Sequence, residues 1–443
     1  MLKKDNNFIK NIKQNIIALF SLFLGTALTA LAALFTAIIL AKHTTTEIFG
    51  NYSAIIATVT ILTPMGGFGI AQYWLKLFGQ HGDYGILWIK KSIIYICFST
   101  IFIFLALSIW FAITADSNYL ILVSILSSFI LFKSVGTEII NSTLQIEGKY
   151  VFLASWQLFQ SSFILIIILI SIYFFNISLN ELIISFMYLP VVIMSVLMTV
   201  FLLRKFITNR NKNIDLNKLI QLKKKENPSI INILKESAPF GFSGLFSLTY
   251  SQIGIVFVRH IEGADAAAYY SVALTFFIAA MLVPITIYHK FLLPKLHKWA
   301  FHDEKKFEKS FYLGNKIMFV LGVLAFLFLW FFSPYFVDLL FGEKYFPSIY
   351  LLQMVAINIP LVYIASSAGS LLVTRNHMKT KVYYMGAASI LSLILMAPMI
   401  NNFGTVGAIY ANIVSNIFIL AMYFYKVKKD ILSKSSYEVA NSG

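Results

Sequence analysis

Lys42-His43 and Arg259-His260 stand 217 residues apart in two similar phrases, LAKHTTTEIFGNYSA (40–54) and VRHIEGADAAAYYSVA (258–273). With a one-residue gap, Tyr52-Ser53 lines up with Tyr270-Ser271. A long-chain cation at matched places in two copies of one phrase is chemistry suited to an anion. Lysine meets a phosphate as a point charge, and arginine adds a planar fork of donors. The apolar runs beside these two cations hold no acid. Other residues that could serve the same polar path are Gln72 and Lys76, Lys133, Gln252 and Lys290. Glu138 follows Lys133 by five positions, a poor spacing for pairing on one helix face. Both are expected to reach the nearer membrane interface by snorkelling.

The sequence offers little for covalent catalysis. It has no HExxH, Walker, GxSxG or paired-carboxylate motif. Cys97 is its single cysteine, so neither a disulfide frame nor a thiolate metal site can form. The seven histidines lack metal-ligand spacing. The glycine-rich ILTPMGGFGIAQYWLK (61–76) lacks the third glycine, the preceding strand and the acidic partner of a dinucleotide loop. A transporter rather than an enzyme is expected, without a cofactor or metal.

The elements that carry these residues follow from composition. The chain of 443 residues is 59% hydrophobic and only 12% charged, with a mean hydropathy of +0.79. A soluble domain carries about 25% charged residues, so the solvent here is lipid. A bilayer core about 30 Å thick needs roughly 20 apolar residues per helix. Such runs lie near 15–41, 49–75, 89–114, 118–141, 151–175, 181–203, 237–258, 267–293, 311–333, 346–373, 380–400 and 404–425. The first is too long for a signal-peptide core and is expected to be retained. With both termini cytoplasmic, 31 of the 35 lysines and arginines fall on the cytoplasmic side. Lys42, Arg259 and Lys344 fall outside, and Lys133 lies within a span. The formal charge of +16 is therefore a topology signal, with no nucleic-acid footprint.

An all-α membrane protein of about twelve transmembrane helices in two six-helix lobes is expected. The lobes are 1–203 and 237–430, joined by a basic cytoplasmic linker at 204–236 and followed by a tail at 431–443. An even number of spans per half makes this a parallel repeat. Pro64 and Pro284 interrupt corresponding helices, which marks them as hinges beside a central cavity. Lys42 and Arg259 are expected across its outer mouth. Ser21, Gly25, Thr29, Ala33, Ala37 and Ala41, one small residue in every four, read as a packing stripe on helix 1.

Several stretches resemble the bacterial O-antigen and polysaccharide flippases (Wzx type), relatives of the MATE exporters and lipid II flippases in the MOP superfamily. They are EIFGNYSAI, GGFGIAQY, AYYSVALTF, FLLPKL, LFGEKYFPSIYLLQMVA, GSLLVTRNHMKTK and NNFGTVGAIYANIVSN, in that order along the chain. The resemblance implies a MATE-like architecture in the bacterial inner membrane. It implies a substrate of undecaprenyl-pyrophosphate-linked oligosaccharide, moved outward by alternating access for O-antigen, lipopolysaccharide, capsule or exopolysaccharide synthesis. Coupling to a proton or sodium gradient belongs to that picture, as do membrane lipids and the polysaccharide polymerase and chain-length machinery as partners. Lys42 stands where the family often has arginine, which keeps the charge and removes the fork. The alternative on the same fold is a MATE-like cation or drug antiporter.

Overall fold

In lipid a backbone N–H or C=O finds no water, so apolar runs must satisfy their polar groups internally, as helices. The structure, a computed structural model, describes residues 2–211, 229–292, 296, 299, 303–373 and 378–432. Their side chains are described from 23 onward, except 211, 289–291, 304 and 430–432. The first half forms α1 (Leu2–His43), α2 (Thr46–Gly67), α3 (Ile70–His81), α4 (Ile86–Thr114), α5 (Asn118–Ser128), α6 (Ile130–Ile146), α7 (Tyr150–Tyr173) and α8 (Glu181–Asn211). The second half forms α9 (Ile230–Ile261), α10 (Ala264–Ala280), α11 (Glu304–Phe341), α12 (Pro347–Ala356), α13 (Ile359–Leu371), α14 (Met378–Phe403) and α15 (Thr405–Lys426). A π-helical turn, Ile285–Leu292, follows α10. There is no strand among the described residues.

Eleven helical stretches of the described residues are long and apolar enough to cross a bilayer. One of them, Thr46–Thr114, has 69 residues. A straight helix of that length would run about 100 Å, over three times the bilayer core. It holds two of the twelve apolar runs and is broken at Phe68–Gly69 and at the 3₁₀ turn Gly82–Gly85.

Two expectations about helix shape need correction. The break in α2 does not fall at Pro64, which lies inside the helix. It falls four residues on, where Phe68 (φ 45°) and Gly69 (φ 68°) are left-handed. Gly69 is glycine for a further reason: a Cβ there would lie 2.3 Å from the backbone nitrogen of Gly241 on α9. The Gly66 carbonyl, near the end of α2, is satisfied by the hydroxyls of Ser99 and Thr100 from α4. At Pro284 the helix likewise changes early, since α10 stops at Ala280 and its carbonyl accepts the Tyr363 hydroxyl at 2.7 Å. The second correction concerns the stripe on α1. Gly25 is packed so tightly that a Cβ would meet Ala154 of α7 at 2.6 Å, and Ala41 is buried, yet Ala33 is exposed. A period of four drifts around a helix of 3.6 residues per turn, so the stripe cannot stay on one face.

The chain divides into two compact units, Met1–Ile39 with Leu62–Leu245, and Leu40–Ile61 with Phe246–Gly443. Their boundaries fall inside α1, α2 and α9. In unit 1, Ile140, Leu144, Leu153 and Trp156 form a buried cluster that Met194, Met198 and Leu202 cover. Gly136 lets α6 approach α8, where a Cβ would sit 2.7 Å from the Thr199 hydroxyl. In unit 2 the largest fully buried side chains are aromatic, with Tyr270, Tyr288, Tyr345, Tyr363 and Phe341 among them. The Tyr270 hydroxyl oxygen accepts a hydrogen bond from Asn412 Nδ2 at 3.1 Å.

Of the basic segment 204–236, residues 212–228 lie outside those described. On either side of them the chain is helical: α8 runs to Asn211 and α9 starts at Ile230. Arg210 pairs with Asp83. The tail beyond 432 also lies outside the described residues.

Candidate functional site

In unit 2 the two repeated phrases form helical turns that pack against one another. The first joins α1 to α2 and the second joins α9 to α10, with two residues between helices in each case. Gly263 takes the φ of 98° that the second turn requires. Gly50 makes the contact possible, because a Cβ there would lie 1.8 Å from the Ala264 carbonyl oxygen. The Thr46 hydroxyl donates to Asp265, and Arg259 Nε donates to Asn51 Oδ1 at 3.2 Å.

Lys42 is exposed, and its ammonium donates to the Leu339 carbonyl near the end of α11 at 3.2 Å. Lys344 does the converse: its ammonium donates to the carbonyls of Lys42 (3.1 Å) and Thr44 (2.7 Å) at the end of α1. The Tyr345 hydroxyl adds a bond to the Ala41 carbonyl. Final helix carbonyls have no partner within their own helix and carry partial negative charge, so two lysines exchange caps between α1 and α11. Burial holds the Lys344 ammonium below the ordinary lysine value. Sequence reasoning saw Lys344 only as a leftover external cation, because a cap on a carbonyl 300 residues away has no local signature. Gln252 is half-buried on α9, with no hydrogen-bond partner among the described residues.

Unit 1 holds a different set. Lys133 and Glu138 are both half-buried on α6, and neither has an ion-pair partner among the described residues. The Lys133 ammonium lies 5.9 Å from the centre of the Tyr188 ring, a cation–π contact. Snorkelling does not describe Glu138. A Cβ on Gly67 would lie 3.2 Å from Glu138 Oε2, so the carboxylate rests against the last residue of α2, beside the break. Around the pair runs a chain of hydroxyls and amides: Thr137 donates to Gln160 Oε1 at 3.1 Å, and Gln160 Nε2 donates to Ser195 Oγ at 3.1 Å. Ser195 in turn donates to the Lys133 carbonyl at 3.2 Å. Gln160 is buried and was not singled out from sequence, where one glutamine in an apolar run is a weak signal.

Gln72 and Lys76 are exposed on α3. Lys76 makes a 2.6 Å salt bridge to Glu236, which stands within α9. The structure thus supplies Lys76 with a counter-charge that the apolar-run argument did not include. The side chain of Lys290 lies outside those described. Among the described residues no group of three His, Cys, Asp or Glu is placed to hold a metal.

Residues 14–298 match the family described as "Polysaccharide biosynthesis protein". No curated protein matches the chain in sequence. The fold is that of known membrane transporters and flippases. It is similar to "Lipid II flippase MurJ, inward closed conformation" at a TM-score of 0.69 and 15% identity, covering 93% of this chain and 89% of that one. It is similar to a multidrug resistance MATE family transporter of the MOP superfamily in its inward-facing conformation (TM-score 0.67, 13% identity, 92% and 96% covered). The outward-facing conformation of such a transporter gives 0.66 at 14% identity, with 96% of each chain covered.

Proposed function

The chain belongs to the polysaccharide biosynthesis protein family, and we propose that it is a flippase for undecaprenyl-pyrophosphate-linked oligosaccharide. One observation carries this reading: a polysaccharide-family chain consists almost wholly of helices suited to lipid. Making or breaking a glycosidic bond calls for a polar catalytic constellation. Moving a lipid-linked sugar calls for a membrane path instead. A pyrophosphate cannot cross the bilayer core unaided, because an unpaired charge in an apolar medium is strongly disfavoured.

The substrate would be a repeat unit of O-antigen, capsule or exopolysaccharide, moved by alternating access from the cytoplasmic leaflet of the bacterial inner membrane. The cation distribution supports cytoplasmic termini. Lys133 is the intramembrane cation to which we assign the anionic head, with Gln160 and Ser195 as polar neighbours. Lys42 and Arg259 would contribute as the carbonyl and amide contacts of their turns open. The breaks after Pro64 and before Pro284 would serve as hinges. Glu138, an acid within a span, suits coupling to a proton or sodium gradient. Polymerase and chain-length machinery would consume the product. Glu138 also favours a second reading, a cation or drug antiporter on the same fold.

Reconstitution tests both. Proteoliposomes carrying a fluorescent polyprenyl-pyrophosphate oligosaccharide should show faster loss of externally quenchable lipid than protein-free vesicles. Absence of flipping, together with gradient-driven efflux of a cationic dye, would overturn the flippase reading in favour of the antiporter.

A further inference from the structure

Between α7 and α8, within unit 1, lies an open groove of about 680 Å³. Phe159 and Phe163 line it from α7, and Met194, Leu197 and Phe201 line it from α8. Phe159 is 49% exposed, Leu197 66% and Phe201 58%. Both helices are long and apolar enough to cross a membrane, which suits the groove to hydrocarbon more than to water. Stacked Phe159 and Phe163 rings make one wall, 5.6 Å apart at 14°. Two methionines, Met194 and Met198, give the other wall a surface that adapts to an irregular chain. Pro190 lines the far end.

The groove itself is apolar, and the register of α8 turns basic just beyond its Phe201 end. On α8 the lining positions 190, 194, 197 and 201 advance by three or four, the step that keeps one helix face. The next positions on that face are Arg204 and Lys205. Both are exposed, and neither has a hydrogen-bond or ion-pair partner among the described residues. On α7 the same face runs back from Phe163 through Phe159 and Trp156 to Phe152 and Lys149, the last paired with Glu147 at 2.5 Å. Trp156 is 7% exposed and its indole N–H has no acceptor among the described residues. An apolar trough that ends on an arginine fork and a lysine is complementary to a lipid anion. One trough receives one chain, and a polyprenyl pyrophosphate has one chain and a compact polyanionic head.

We propose that the α7–α8 groove, with Arg204 and Lys205 at its basic end, docks the polyprenyl chain and pyrophosphate of the carrier lipid before transport. The inference rests on the flippase reading and adds to it the place where the tail stays in the bilayer. The arginine fork grips the pyrophosphate, Lys205 adds charge, and the sugar is left free to enter the protein.

The test uses the full-length protein in nanodiscs and a benzophenone-bearing polyprenyl pyrophosphate, with uncharged polyprenol and phosphatidylglycerol as competitors. Crosslinks should map to α7 and α8. Leu197→Trp, which fills the groove from an exposed position, should weaken binding of the probe and of polyprenol alike. Arg204→Gln with Lys205→Gln should weaken the pyrophosphate roughly tenfold or more and leave polyprenol unchanged. Retained abundance and thermal stability of each variant show that it is folded. Phosphatidylglycerol displacing the probe as well as polyprenyl pyrophosphate does would reduce the groove to a site for surrounding lipid and overturn the proposal. So would flipping by wild type with crosslinks elsewhere and unchanged binding in both variants, an outcome that leaves the flippase reading standing. A wild type that neither binds nor flips the probe removes both.

Discussion

The charged residues of the α1–α2 turn in unit 2 and those of α6 in unit 1 are of the same kinds, yet their surroundings are opposite. Lys42, Lys344 and Arg259 each donate to a carbonyl or amide oxygen of a distant segment. Lys133 and Glu138 have no ion-pair partner among the described residues; the Lys133 ammonium faces a tyrosine ring and the Glu138 carboxylate lies beside Gly67. Charges of the first kind hold helix ends in place. Those of the second kind have no counter-charge in contact among the described residues, which leaves them open to a ligand. Symmetry of position drew attention to Lys42 and Arg259, but balance of charge draws it to α6.

The two glycine contacts give the sharpest test of this contrast. Gly50→Ala pushes a Cβ to within 1.8 Å of a backbone oxygen that cannot swing aside. We expect destabilisation of about 3 kcal/mol or more and a collapse of membrane abundance on immunoblots. Gly67→Ala meets the tip of the Glu138 side chain at 3.2 Å and a Val135 methyl at an ordinary 3.9 Å, so abundance should hold while transport falls. Equal abundance in the two variants would break the comparison.

Next in size are the α6 charges themselves. Removing an ion that has no partner leaves no orphan behind, so the fold should not suffer. Glu138→Gln and Lys133→Met should each keep or raise the melting temperature in detergent. Flipping in proteoliposomes should fall roughly tenfold or more, on the scale of a lost charge-assisted contact. A melting temperature that falls with activity would place these residues among the structural charges.

The smallest effects belong to the lysine caps. Lys42→Gln and Lys344→Gln each remove a cation from a helix C-terminus, worth about 0.3–1 kcal/mol, and should lower the melting temperature slightly. Lys42→Arg should preserve the cap. If Lys42→Gln abolishes export at unchanged melting temperature, Lys42 serves the substrate more than the fold.

Local chemistry carried much of this architecture. Apolar runs of bilayer length, lysines placed between them and glycine beside proline are properties of neighbouring residues, and lipid forces such runs into helices whatever they later touch. For that reason helices of bilayer length, the absence of strands among the described residues and the existence of a break in α2 could be read before any contact was known. The location of that break could not. Pro64 marks where a hydrogen bond is missing, whereas the left-handed pair at Phe68–Gly69 stands where α3 must clear Gly241, 172 residues away. The same holds for Glu138 against Gly67, Lys76 on Glu236 and the exchange of caps between Lys42 and Lys344. Each is a pairing of distant segments, created when helices pack to near contact, and only tertiary structure decides which charge finds a partner and which is left without one.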